Sequence, residues 1–327
     1  MNTKFYFSYS SISKLLYNPW VFYNYYILNN RDDKVSNATT DGKLIHCLLL
    51  SEEDFHNQFV VSPDKIPSGP TADLIKTIFK EVSSQEDYDD RKKLEDYKDL
   101  ILRELVTINL HQKLLTDEQR VDKIITEDNQ KYFEFLKEQS KKILVPVEVY
   151  NKCFYIKNLL SKHEKVKKLL NLDNNPDLIT YNELSLRADD SVNFDKSYGI
   201  QGILDNLTID RINKVITIND IKTTSKTLQE FQSSIDYYKY WLQASIYIML
   251  VSYNKKFFGL DEQDIYNLKF NFITIDKYNQ IYCFPVSNET LTSWFSNTQK
   301  VFEIVDFHYN FNRYDLPYEY ALEKVIL

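Results

Sequence analysis

The sequence predicts an α/β fold, a central mixed β-sheet flanked by helices and interrupted by a helical insertion. Three observations predict it. Residues 181–188 and the apolar runs at 198–209 and 215–223 read as strands, and the polar turn Asp210–Lys214 joins the last two. A long apolar helical pattern follows at about 235–252. Residues 71–143 are charged, with Leu and Ile every three or four positions, the period of amphipathic helices.

Taken in order, residues 8–30 read as an aromatic-rich helix that begins near Ser10 or Ser11 and is interrupted or restarted at Pro19. Residues 31–41 read as a polar loop, and the apolar helix after it carries Gly42 and His46 four residues apart. The segment 64–70, with Pro67, Gly69 and Pro70, reads as an irregular connector. Two to four amphipathic helices are expected over 71–143, forming an arm. Pro146 opens a helix through about Leu170, which residues 171–177 close. After the three strands and the apolar helix, 268–275 and 280–285 read as a hairpin around 277–279. A helix from Glu289 to about Val305 and an aromatic tail finish the chain. The expected organisation is a single domain over residues 1–327, with a helical arm at about 71–143 and a core at about 145–285.

With 327 residues, 43% of them hydrophobic and 15% aromatic, the chain can bury a sizeable core. Its net charge of −7 runs against the basic balance usual in nucleic-acid binders. The distribution of charge matters more than the total. Lys157, Lys162, Lys165, Lys167 and Lys168 form one basic stretch, and Lys222, Lys226, Lys239, Lys255 and Lys256 gather later. Cys47, Cys153 and Cys283 lack paired spacing, the pattern of a reducing cytosol, so a cytoplasmic protein is expected. No signal-like h-region opens the sequence, and no apolar run approaches the ~20 residues of a spanning helix, so no membrane association is expected.

The chemistry lies between Gly199 and Tyr247. Gly199–Asp205 is an apolar strand pattern ending on an acid, and Asp220 and Lys222 leave one face of the next strand. Gln243 and Tyr247 then share one face of a helix. Asp-x-Lys also occurs at Asp32, Asp90 and Asp96, in charge-rich stretches. Only the Asp220 copy ends a β-branched run, Val215 to Ile218, and follows a second strand carrying an acid. Cross-strand neighbours approach to ~5 Å, so Asp205 and Asp220 can share one divalent ion. Two carboxylates, a lysine and a histidine are what metal-dependent phosphodiester hydrolysis requires. Hard oxygens with one imidazole suit Mg²⁺ or Mn²⁺. Thr223 and Thr224 offer hydroxyls to DNA phosphate, although threonine also favours strands.

This order of motifs resembles the PD-(D/E)xK nuclease superfamily, with its restriction-endonuclease-like core, and within it the RecB-type branch. Gly42-x-x-x-His46, Asp205, Asp220-Ile221-Lys222 and Gln243-x-x-x-Tyr247 correspond to that branch's successive motifs. Residues 8–19 and the aromatic run Trp20–Tyr26 resemble its opening segment. Residues 48–63 resemble the phage exodeoxyribonuclease VIII (RecE-like) exonucleases. The resemblance covers roughly 8–63 and 145–250. It implies that His46 and the Ile221 carbonyl join Asp205 and Asp220 as metal ligands, and that Lys222 orients the attack on phosphate. It further implies that Glu183 and Gln243 serve catalysis, Glu183 by orienting metal-bound water or from outside the ligand shell, and that Tyr247 contacts DNA or only packs. Relatives with an iron–sulfur cluster use four cysteines; three scattered ones exclude that cluster within one chain. The implied activity is exonucleolytic, on double-stranded DNA ends in phage-type recombination or replication. A single-strand annealing protein is the implied partner and a ring-shaped homo-oligomer the implied assembly. An endonuclease or single-strand nuclease of the same fold, or a non-catalytic DNA-binding or interaction module, stays open.

Overall fold

The computed structural model describes residues 4–30, 37–63, 65–113, 116–139, 141–189, 198–261 and 263–326. The chain divides into two compact units, residues 1–51 with 156–327, and residues 52–155. The described strands are β1 (Phe5–Phe7), β2 (Phe59–Val61), β3 (Ile143–Val145), β4 (Leu178–Ala188), β5 (Tyr198–Asp210), β6 (Val215–Thr223), β7 (Asn267–Ile275) and β8 (Ile281–Val286).

In the larger unit six strands form one mixed sheet, ordered β1-β5-β6-β7-β8 with β4 also on β5. Ile200 pairs with both Phe7 and Ala188, and Asn206 with both Asn182 and Asn219. β4 therefore occupies one edge of β5 while β1 and β6 share the other. β1 leaves β5 after Ile200, and β6 joins it at Asn206. β6 stays paired with β7 as far as Thr223. The edge of β5 is thus open from 201 to 205, which frees the backbone of β6 beyond Asn219 for other partners.

The buried residues of this sheet include Ile200, Leu204, Leu207, Ile216, Ile218 and Phe272. Against them packs the helix Tyr240–Tyr253, in which ten successive residues, Leu242–Val251, are buried. Apolar burial on this scale contributes roughly 25 cal/mol per Å² and dominates the stability of the unit.

Across the sheet runs a ladder of asparagines. Asn206 Nδ2 donates to Asn182 Oδ1 (2.8 Å), Asn219 Nδ2 to Asn206 Oδ1 (2.8 Å) and Asn271 Nδ2 to Asn219 Oδ1 (2.9 Å). The same amides reach helix ends, Asn182 to the Leu50 carbonyl (2.9 Å) and Asn219 to that of Leu169 (2.9 Å). Asn206 adjoins Asp205 and Asn219 adjoins Asp220, so these amides lie on the face turned away from the two carboxylates.

The smaller unit has its own core, with Leu74, Ile75, Ile78, Ile101, Leu105 and Phe133 buried together. Four amphipathic helices supply it, Gly69–Ser83, Lys98–Thr107, Asp117–Asp122 and Glu127–Gln139. The parallel pair β2–β3 accompanies them.

The predicted strands and hairpin form where expected, within one to three residues. The expected restart at Pro19 is present, capped by Asn18, and the segment is three pieces, Tyr9–Tyr17, Pro19–Phe22 and the π-turn Tyr23–Ile27. Three helical readings change. The loop read over 31–41 is already helical from Asn37, and its residues 31–36 lie outside the described residues. The helix read from Pro146 to Leu170 breaks at His163. The helix read over 235–252 is two, Phe231–Tyr237 and Tyr240–Tyr253, separated by Lys239 at φ +56°.

Candidate metal centre and active site

Where β6 leaves β5, the freed backbone of Ile221 is taken up by side chains. Its N–H donates to Asp205 Oδ2 at 2.7 Å, and its carbonyl lies 3.1 Å from His46 Nε2. The Ile221 side chain is buried in the core. His46 projects from the helix Asn37–Leu50, and Gly42, one turn earlier, faces the Thr223 hydroxyl. The other ring nitrogen, Nδ1, is 3.4 Å from Asp205 Oδ1 and 3.6 Å from Glu183 Oε1.

Glu183 falls opposite Asp205 in the β4–β5 register, between the pairs Asn182↔Asn206 and Leu184↔Leu204. Its φ is +46°, a conformation rarely adopted by a residue with a side chain. Such strain persists only where surroundings impose it, and it collects at functional sites.

Asp220 is fully buried beside this cluster. Gln243 Nε2 donates to its Oδ1 at 3.0 Å and also to the Tyr247 hydroxyl at 2.9 Å. Lys222 Nζ lies 2.5 Å from Asp220 Oδ2, a charge contact with no properly directed hydrogen bond to that oxygen. The Lys222 ammonium also lies 4.8 Å from the centre of the Tyr240 ring.

The electrostatics of the pocket call for positive charge. Burial opposes a charged His46, but Asp205 and Glu183 outweigh it and raise its pKa to about 10. Burial would lift Asp205, yet His46, Lys222 and the Ile221 N–H hold it below the usual carboxylate range. For Asp220 burial prevails over Lys222, and its pKa is raised to about 6.

A divalent cation fits this donor set. The ligand atoms of His46, Glu183 and Asp205 lie within 4.8 Å of one another. An ion bound at ~2.1 Å holds any two ligands at most ~4.2 Å apart, so a pair at 4.8 Å must close by at least ~0.6 Å. With the His46 proton displaced, as ligation requires, the carboxylates of Glu183, Asp205 and Asp220 against the Lys222 ammonium leave two negative charges, which a divalent ion cancels. The incompletely satisfied Asp220 Oδ2 and the unpartnered Oε1 of Gln243 add buried acceptors at the same place.

His46, Asp205, Asp220, Ile221, Lys222 and Gln243 are thus brought together, while Glu183 stands among the donor atoms themselves. Tyr247 is buried against β5, where a Cβ on Gly202 would come within 2.9 Å of its ring. It also lines a cleft of about 530 Å³ with Ser8, Ser10, Ser185, Arg187 and Gln201. Thr224 accepts from the Lys226 N–H at 3.0 Å and so shapes the turn after β6. Sequence reading missed Tyr240 against Lys222 and the asparagines behind the acids. For the latter a signal existed: Asn206 and Asn219 are polar residues inside apolar runs, each next to an acid.

A family model described as the PD-(D/E)XK nuclease superfamily matches residues 6–274. Among curated proteins the sequence has no match. Among solved structures, the crystal structure of a Eubacterium rectale protein named "Putative exonuclease" is similar, with a TM-score of 0.50 and 10% identity over 98% of this chain and 89% of that one. At that identity the likeness speaks for the fold alone. The family match spans the whole cluster from His46 to Gln243, over more than half of the chain, and the chain belongs to the PD-(D/E)XK nuclease superfamily.

Proposed function

We propose that this protein is a divalent-metal-dependent deoxyribonuclease that digests linear duplex DNA from its ends, with Mg²⁺ or Mn²⁺ as its ion. The observation that carries the reading is the group of His46, Glu183 and the buried Asp205 beside the Asp220–Lys222 pair. A cation held by His46, Glu183 and Asp205 would supply Lewis acidity toward the phosphate and lower the pKa of water. His46 would ligate through Nδ1, oriented by donating from Nε2 to the Ile221 carbonyl, the usual outer support of a metal-binding imidazole. Gln243 fixes Asp220, and Asp220 aims the Lys222 ammonium. That ammonium meets the charge that builds on the phosphate oxygens as water attacks and the sugar oxygen leaves.

The end-directed part of the reading is supported by the RecE-like character of residues 48–63, which also favours a homo-oligomer and a single-strand annealing partner in phage-type recombination. Cys47, Cys153 and Cys283 are buried and lack paired spacing, which accords with a reducing, cytoplasmic setting; among the described residues no helix is long and apolar enough to cross a membrane. Incubation of end-labelled linear duplex with Mg²⁺, with Mn²⁺ and with excess EDTA tests the core of the proposal. Nucleotides should be released in both ions and none in EDTA. Undiminished degradation in EDTA would overturn it.

A further inference from the structure

We propose that Tyr237, Tyr238 and Tyr240 form a ledge on which unpaired nucleobases of the DNA strand stack as it enters the site. The inference rests on the nuclease reading, because the ledge starts at Lys222. The Tyr240 ring is the one against the Lys222 ammonium. It stacks on Tyr238 with centroids 5.5 Å apart and planes at 25°, and Tyr238 meets Tyr237 edge-on at 4.9 Å. Rings therefore run without a break from the reacting centre to the surface, where Tyr238 is 47% and Tyr237 73% exposed.

Exposure alone says little in a chain with 25 tyrosines. What distinguishes these rings is that the backbone is held to display them. The helix break falls between Tyr238 and Tyr240, at Lys239 with φ +56°, where glycine or asparagine is the usual occupant. The Tyr9 hydroxyl donates to the Tyr238 carbonyl and the Tyr238 N–H donates to the Ser234 carbonyl at 2.9 Å, so the turn is tied on both sides. At the outer end the Lys226 ammonium lies 5.7 Å from the centre of the Tyr237 ring.

Cations at both ends and aromatic faces between are the two elements of single-strand recognition, phosphate attraction and base stacking. Every base has a π-face, so the ledge is indifferent to sequence but demands that bases be unpaired. It thus separates the terminal bases of a duplex from their partners at the moment the strand reaches Lys222.

The test is fluorescence anisotropy on the full-length protein in EDTA at low salt, where the proposed hydrolysis stops. The probes are labelled oligothymidylate and an abasic oligonucleotide of equal length. Wild type should bind oligothymidylate at least about tenfold more tightly, the scale of one stacked base. Tyr237→Ala with Tyr238→Ala should bring the ratio to about one, and the double Phe variant should keep it. Equal affinities in wild type, no binding of either probe, or an unchanged ratio in the Ala variant would each overturn the ledge. Hydrolysis of linear duplex in Mn²⁺ is scored separately. Base-dependent binding without hydrolysis would sink the nuclease reading and leave the ledge standing, and the reverse result would do the opposite.

Discussion

Lys222 and Glu183 share one pocket but face different partners, and their replacements should separate. The Lys222 ammonium is directed at Asp220 and is not one of the donor group His46, Glu183 and Asp205. Lys222→Ala should therefore lower kcat by roughly 10²–10³, the usual effect of removing one charge-stabilising donor. Mn²⁺ affinity should hold or tighten, since a competing cation is gone. Glu183→Gln should instead weaken Mn²⁺ binding by about 10–100-fold. Calorimetric titration beside single-turnover kinetics reads both. Equal losses of affinity and rate in Lys222→Ala would show that the lysine supports the donor set. His46→Ala belongs with Glu183, because the helix Asn37–Leu50 turns Nδ1 toward the two carboxylates. Weaker Mn²⁺ binding at an unchanged melting temperature is expected. The opposite pattern, a lower melting temperature at full affinity, would make His46 a packing residue.

At the scale of elements, the asparagine ladder fixes which residue of each strand stands beside which. A slip of one residue between β5 and β6 would turn the acids to the other face. Asn219 is fully buried and makes three side-chain bonds, to Leu169, Asn206 and Asn271. Asn219→Ala leaves the Leu169 carbonyl and both neighbouring amides short of a partner. The loss should be on the order of 3 kcal/mol in urea denaturation. A change under ~0.5 kcal/mol would mean that water replaces the amide and that register is set elsewhere. Gly202 limits the approach of the helix Tyr240–Tyr253 to β5, so Gly202→Ala should cost about 1–3 kcal/mol through the clash with Tyr247.

These elements also show what was legible in the sequence. β5 and β6 were readable because apolar runs on either side of a polar turn carry their own signal, and β4 because Leu184, Leu186 and Ala188 alternate with polar residues. The spacing of Asp205, Asp220, Lys222 and Gln243 marked the site because strand and helix periods convert it into shared faces. Strands of three residues such as β1 have no period to detect, and their partners, Tyr198–Ile200 in that case, lie far along the chain. Lys239 gave no warning of a helix break, since a positive φ is usually announced by glycine or asparagine. Nor did Glu183 announce its place among the donor atoms, which follows from pairing with β5 and a strained φ that tertiary packing imposes.

For the whole molecule, the formal charge of −7 sets how DNA is retained. An acidic protein has little diffuse attraction for a polyanion, so retention must come from a few local contacts or from enclosure. Each phosphate neutralised contributes about −0.9 to the slope of log affinity against log salt. A handful of lysines near the site, Lys222 and Lys226 among them, would give a slope of magnitude about 2–4. That slope predicts weak binding at physiological salt, and an exonuclease that takes many steps then needs a ring to stay on its strand. The expected outcome is rapid digestion of linearised plasmid, with the covalently closed form of the same plasmid spared and the protein running as a homo-oligomer in solution. Light-scattering mass and the paired digestion check it together. Cutting of closed circles at a comparable rate would make the enzyme an endonuclease. Processive digestion of linear DNA by a strict monomer would remove enclosure and require a far steeper salt slope than these lysines provide.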